Sequence, residues 1–158
     1  MKRINFTGEH DCKIDAKGRI MLPIAFRRQM GAVEAYCFVV KPDLDDKCLE
    51  LYPTNEWDYV NEQIMMKNKP FNEKFGKALR IFRKGAMEVE CDPSGRIMLP
   101  KRLLTQVGIT DEAVFAGFFG KIEIWEPTRY LNNCSDEESK RAFVEGVLGE
   151  ITFNTQLS

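Results

Sequence analysis

Near the start of the chain, short runs of alternating apolar and polar residues lie on either side of a turn. Cys12-Lys13-Ile14 alternates, Asp15-Ala16-Lys17-Gly18 interrupts, and alternation resumes with Ile20 and Leu22 on one face and Arg19 and Met21 on the other. Asp at the first turn position and Gly at the fourth suit a tight reversal, because the Asp side chain can accept backbone N–H groups and Gly tolerates positive φ. These strands are therefore expected to form a hairpin. Pro23 then fits the first position of a short helix, where a missing N–H costs nothing, and Gly31 fits its exit. Two further apolar runs, Tyr36 to Val40 and Leu49 to Tyr52, predict a second pair of strands.

The same succession recurs. Residues 15 to 23, DAKGRIMLP, return as DPSGRIMLP at 92 to 100, identical at seven of nine positions with an offset of 77. Met87 to Cys91 alternates ahead of the second turn, Asp92-Pro93-Ser94-Gly95; Pro100 and Gly108 bracket a second helix; and Ala113 to Phe118 with Lys121 to Trp125 repeat the later strands. The fold class is thus α+β, mainly β, with two tandem β-β-α-β-β repeats. We place them at residues 5–53 and 82–128, with a helical connector at 54–81 and a C-terminal helix and tail at 129–158. In the connector, Thr54 or Asn55 can cap a helix carrying Trp57, Val60 and Ile64, and a second stripe, Phe71, Phe75, Leu79 and Phe82, follows. Aromatic residues at that spacing read as packing or subunit-interface elements. Ser135-Asp136-Glu137-Glu138 is a capping box for a last helix near 136–148, and the final ITFNTQLS is either disordered or paired with a neighbour.

Charge sharpens the functional reading. The net charge is only −1, yet residues 1–30 carry +4, 31–66 carry −6, 67–102 carry +6 and 103–158 carry −5. Surface potential follows local clustering, so the two basic segments around the turns can attract phosphates on a nearly neutral chain, although solvated faces would show the same runs. Five cysteines without a C-x-x-C pair and a single histidine, His10, give neither a disulfide framework nor a four-ligand metal site. No metal or cofactor is expected. No nucleophile-base spacing or phosphate-cradling glycine loop is present, so an enzyme or a small-molecule substrate is not expected. No apolar run approaches the roughly 18 residues that span a bilayer, and the opening residues lack a secretion signal's apolar core, which points to the cytoplasm and to no membrane partner.

Arg19 and Arg96 are the informative pair. Each follows a turn on the outward face, four residues after an Asp (Asp15, Asp92) able to orient its planar fork towards phosphate or guanine. The alternative is a local Asp-Arg pair that only fixes the hairpin. Lys13 and Lys17 add charge to the first copy, as do Arg3, Arg27 and Arg28; Lys84, Lys101 and Arg102 add it to the second. Gly18 and Gly95 are turn-formers.

The segments FTGEHDCKIDAKGRIMLPIAFRRQM and FRKGAMEVECDPSGRIMLPKRLLTQVG, followed by IEIW, resemble the two AbrB-type halves of MraZ proteins over about residues 5 to 130. The family's D-x-x-x-R pattern falls on Asp15 with Arg19 and on Asp92 with Arg96. The resemblance implies a swapped-hairpin β-barrel within one chain, ring-shaped homo-oligomers, and binding to repeated boxes in the promoter of the division and cell-wall gene cluster, hence a nucleoid-associated regulator with double-stranded DNA and itself as partners. Ser94 stands where the first copy has Lys17, and the tail past residue 130 is acidic, which departs from a recognition element. Two other readings remain: an AbrB-fold antitoxin that binds DNA and a toxin, and a structural ring that binds no DNA.

Overall fold

The structure, a computed structural model, describes residues 3–32, 36–67, 72–135 and 139–149. Its elements run β1 (Glu9–Lys13), β2 (Arg19–Met21), α1 (Ile24–Met30), β3 (Cys37–Pro42), β4 (Leu49–Pro53), α2 (Thr54–Met66), α3 (Glu73–Arg83), β5 (Met87–Glu90), β6 (Arg96–Met98), α4 (Lys101–Gln106), β7 (Glu112–Phe118), β8 (Lys121–Trp125), α5 (Pro127–Ser135) and α6 (Lys140–Leu148). The expected class holds: mainly antiparallel strands, each repeat contributing β-β-α-β-β.

The copies do not fold side by side; their strands interleave. One sheet has the order β1-β7-β8-β4-β3-β5 and a second is the pair β2-β6. Exchanging the copies turns the first order into its own reverse, so a pseudo-two-fold relation runs between β4 and β8 and between β2 and β6. This corrects the simple hairpin expected in each half. After its turn, the first copy closes a single bridge, Ile14 with Ile20; β1 then pairs with β7, and β2 with β6 of the other copy. The physical reason is burial. Cross-pairing sets Ile20 opposite Ile97, and these residues are 1% and 0% exposed, which a two-stranded hairpin alone could not achieve. Reciprocal bonds fasten the exchange: Leu22 N–H donates to Gly95 O at 2.9 Å, and Leu99 N–H donates to Gly18 O at 2.9 Å.

Between the sheets lies one apolar core shared by both copies, including Ile14, Leu22, Phe26, Phe38, Leu51, Leu99, Leu103, Phe115 and Ile124. Pro23 and Pro100 sit one position earlier than expected, at the helix N-caps with ψ of 135° and 130°, so each ends an extended segment while its carbonyl accepts the first helical bonds. The other face of the large sheet is covered by the connector, where Val39, Tyr52 and Trp57 pack with Val60, Phe82 and Ala86, and Trp57 stacks on Phe82 with centroids 5.8 Å apart. Here α2 starts at Thr54 after Pro53 without a side-chain cap bond, so the expected Thr54 or Asn55 cap is not used; Asn72 caps α3 by accepting from Phe75 N–H at 3.2 Å. Phe71 lies outside the described residues.

That face also carries charge that the sequence pattern does not reveal. Lys41 and Glu50, 1% and 6% exposed, form a 2.8 Å ion pair, and Lys121 closes on the other oxygen of Glu50. Glu50 stands directly opposite Glu123 in the β4-β8 ladder, and the two lysines offset that like-charge juxtaposition.

A second compact unit, residues 128–158, contains most of α5 and all of α6. Ser139 caps α6 by accepting from Ala142 N–H at 3.2 Å, and Ser135, expected to open the capping box, is instead the last residue of α5 with its hydroxyl donating to Leu131 O; residues 136–138 and the final ITFNTQLS lie outside the described residues.

Candidate nucleic-acid interface

Both turns are built as the Asp-Gly spacing predicts. Gly18 N–H donates to Asp15 O and Gly95 N–H to Asp92 O, each at 3.0 Å, and the glycines adopt φ of +85° and +91°. A Cβ on Gly18 would lie 2.7 Å from the Leu99 carbonyl oxygen, so no larger residue fits. Each Asp side chain then gathers the turn's N–H groups: Asp15 Oδ1 accepts from Lys17 and Arg19 at 2.9 Å, and Asp92 Oδ1 accepts from Ser94 and Arg96 at 2.9 Å. These bonds, led by the backbone N–H of Arg19 and of Arg96, hold both carboxyls below the usual carboxylate range.

The cross-pairing of β2 with β6 brings the predicted arginines together. Arg19 faces Met98 and Met21 faces Arg96 in the ladder, so all four side chains share the outer face of one antiparallel ribbon while Ile20 and Ile97 anchor its inner face. Met21 and Met98 are 41% and 54% exposed, and Arg96 is exposed while Arg19 is half-buried. Lys17 projects from the first turn and is exposed, as is Lys13 on β1, which stands opposite Glu112 in register and therefore adds less net charge than its sequence position suggests.

The two turns differ in the third bond to the carboxylate and in what lies beneath the glycine. Arg19 Nε donates to Asp15 Oδ2 at 2.7 Å, whereas the third bond to Asp92 comes from the Ser94 hydroxyl at 2.7 Å. Arg27, counted in the sequence only as one of several basic residues, lies beneath the second turn: a Cβ on Gly95 would be 3.0 Å from Arg27 Nη1. Its Nε is buried and has no hydrogen-bond partner among the described residues. The repeat offset puts Leu104 in the matching place beneath Gly18, so the sequence holds a hint of the asymmetry but no local signal of a contact between copies.

His10 lies edge-on to Phe26 with centroids 5.1 Å apart, a packing contact, and burial pushes the Cys12 thiol up to about 11. Among the described residues, no helix is long and apolar enough to cross a membrane.

Comparison with known proteins fits this duplicated architecture. The family model described as "MraZ protein, putative antitoxin-like" matches residues 5–80 and again 82–145. The chain belongs to the MraZ family. Three proteins named transcriptional regulator MraZ resemble it along nearly their full lengths. That of Christiangramia forsetii is 35% identical over 152 residues, covering 96% of this chain and 97% of the relative. That of Lachnoclostridium phytofermentans is 41% identical over 131 residues, covering 83% and 88%. That of Flavobacterium psychrophilum is 33% identical over 145 residues, covering 91% and 92%. Membership in MraZ gives the D-x-x-x-R pairs a shared setting, since both fall at the turns that lead into the ribbon.

Proposed function

We propose that this chain is a transcriptional regulator that binds double-stranded DNA through the outer face of the β2-β6 ribbon. The observation that carries the reading is the convergence of Arg19 and Arg96, from segments 77 residues apart, on one exposed two-stranded ribbon whose other face is buried. A two-stranded ribbon has the width to enter a major groove, and arginine forks on it reach base edges or phosphates. Lys17 adds charge at the first tip and Lys13 on the adjoining strand. Asp15, Asp92, Gly18 and Gly95 act indirectly, by setting the turns. The relatives' name supports the regulatory role.

One ribbon makes few contacts, so occupancy of a promoter calls for several ribbons side by side. A homo-oligomeric ring acting on repeated promoter boxes of the division and cell-wall gene cluster supplies that multiplicity by avidity, and it places the protein in the cytoplasm at the nucleoid. No membrane or small-molecule partner enters this reading. The test is a fluorescence-anisotropy titration of wild type and of the Arg19→Ala/Arg96→Ala variant against a duplex from upstream of the protein's own gene at several salt concentrations. Binding that weakens with salt and is lost in the still-folded variant is the expected result; absence of binding by wild type at every salt overturns it.

A further inference from the structure

Resting on the DNA-binding reading, we propose that Met21 and Met98 are specificity residues, each reading the C5-methyl group of a thymine next to the site that an arginine contacts. Strand alternation calls for a polar residue at the outward position between Ile20 and Leu22, and again between Ile97 and Leu99, since those four side chains are buried. Both copies place methionine there instead, 41% and 54% exposed. The cross-strand register turns the two into a pattern. Arg19 stands opposite Met98 and Met21 opposite Arg96, so cations and thioethers alternate as a two-by-two checkerboard. Each arginine has one methionine across the ribbon and another two residues along its own strand.

The major groove gives that pattern a partner. Its floor presents polar donors and acceptors, which suit the arginines, and one apolar group, the methyl of thymine, which suits a thioether. Neighbouring strands lie about 5 Å apart, and successive bases rise about 3.4 Å. An arginine and the methionine opposite it therefore meet neighbouring base pairs rather than the same one. Methionine fits the contact because its unbranched, polarisable side chain can follow an apolar surface. Packing its tip on the methyl takes apolar surface of both from water, a gain that cytosine or a phosphate does not return. The pseudo-two-fold relation between β2 and β6 makes the two Arg-Met pairs equivalent, so each end of the ribbon reads one thymine. The methionines thus add selectivity without adding charge.

Exchange of thymine for deoxyuridine isolates this contact, because it removes the methyl and keeps the base pairing, O4 and the phosphates. In anisotropy titrations of the full-length chain, the duplex from upstream of its own gene should bind more tightly than the same duplex with every thymine exchanged, by about fourfold for each methyl buried. Met21→Ala/Met98→Ala should bind the thymine duplex more weakly and lose the preference, with its salt slope unchanged because no phosphate contact is removed. Met21→Leu/Met98→Leu, which keeps apolar tips, should retain most of the preference. Equal binding of the two duplexes by wild type overturns the inference while the DNA-binding reading stands, and so does a preference that survives in the alanine variant. If the alanine variant misfolds or changes oligomeric size, the methionines are packing residues and the inference falls likewise. Failure of wild type to bind either duplex overturns it together with the DNA-binding reading.

Discussion

Asp15 and Asp92 do more than fill turn positions. Their carboxylates bind N–H groups that the chain reversal would otherwise leave to water, which lowers the pKa of both. Because the folded-state pKa is depressed, the associated stability is fully present above the usual carboxylate range and is lost as pH falls through the folded value. A carboxyl 13C titration should therefore find both groups titrating below the usual carboxylate range. The glycines impose a steric limit at the same scale. Gly18→Ala forces a left-handed φ and a collision with the Leu99 carbonyl, so chemical denaturation should show a loss of roughly 1–3 kcal/mol. Gly31→Ala, with a similar φ of +82° but nothing within 4 Å, should cost less.

At the scale of elements, sequence and structure agree on the β-β-α-β-β order of each copy and differ on what the strands pair with; α5 (Pro127–Ser135) is a helix that the sequence reading, with its single last helix near 136–148, did not expect. Alternation told which of Arg19, Ile20 and Met21 faces the interior, because side-chain period is local. It could not tell that β2 would find β6, since both copies carry the same RIM triplet and nothing in a period of two names a partner. The Thr54 cap failed for a related reason: Pro53 already ends β4 in a geometry that starts the helix. Nothing local in the sequence marks Lys41 and Glu50 as buried; connector packing buries them, and the cross-strand register shows that each has a partner. Glu50→Gln should leave Lys41 and Lys121 sharing an uncharged acceptor and cost about 3–5 kcal/mol by denaturation, more than a surface carboxylate would. Ile97→Ala should cost about 2–5 kcal/mol by removing the ribbon's inner anchor.

For the whole molecule, the exchange of strands means that neither repeat owns a core. β1 needs β7, β5 needs β3, and β2 needs β6. A chain cut between α2 and α3 should give halves that fold only in pairs, with each other or with themselves, which concentration-dependent circular dichroism would reveal; a half that folds as a cooperative monomer would contradict the account. The duplication itself was legible because seven identities in nine residues survive at the turns, where geometry restricts the choice of residue most. The asymmetry was only partly legible: Ser94 in place of Lys17 is visible in the sequence, but the position of Arg27 beneath Gly95 depends on how the copies interlock.

The central claim is that DNA lies on the outer face of the β2-β6 ribbon. A photo-crosslinking side chain placed at Met98, between the two arginines, and at Leu44, an exposed control position, locates the duplex directly. The account predicts crosslinks from position 98 to a bound promoter duplex, competed away by salt, and none from position 44. Crosslinks from position 44 with none from 98, in protein that binds the duplex, would place the DNA elsewhere and contradict it.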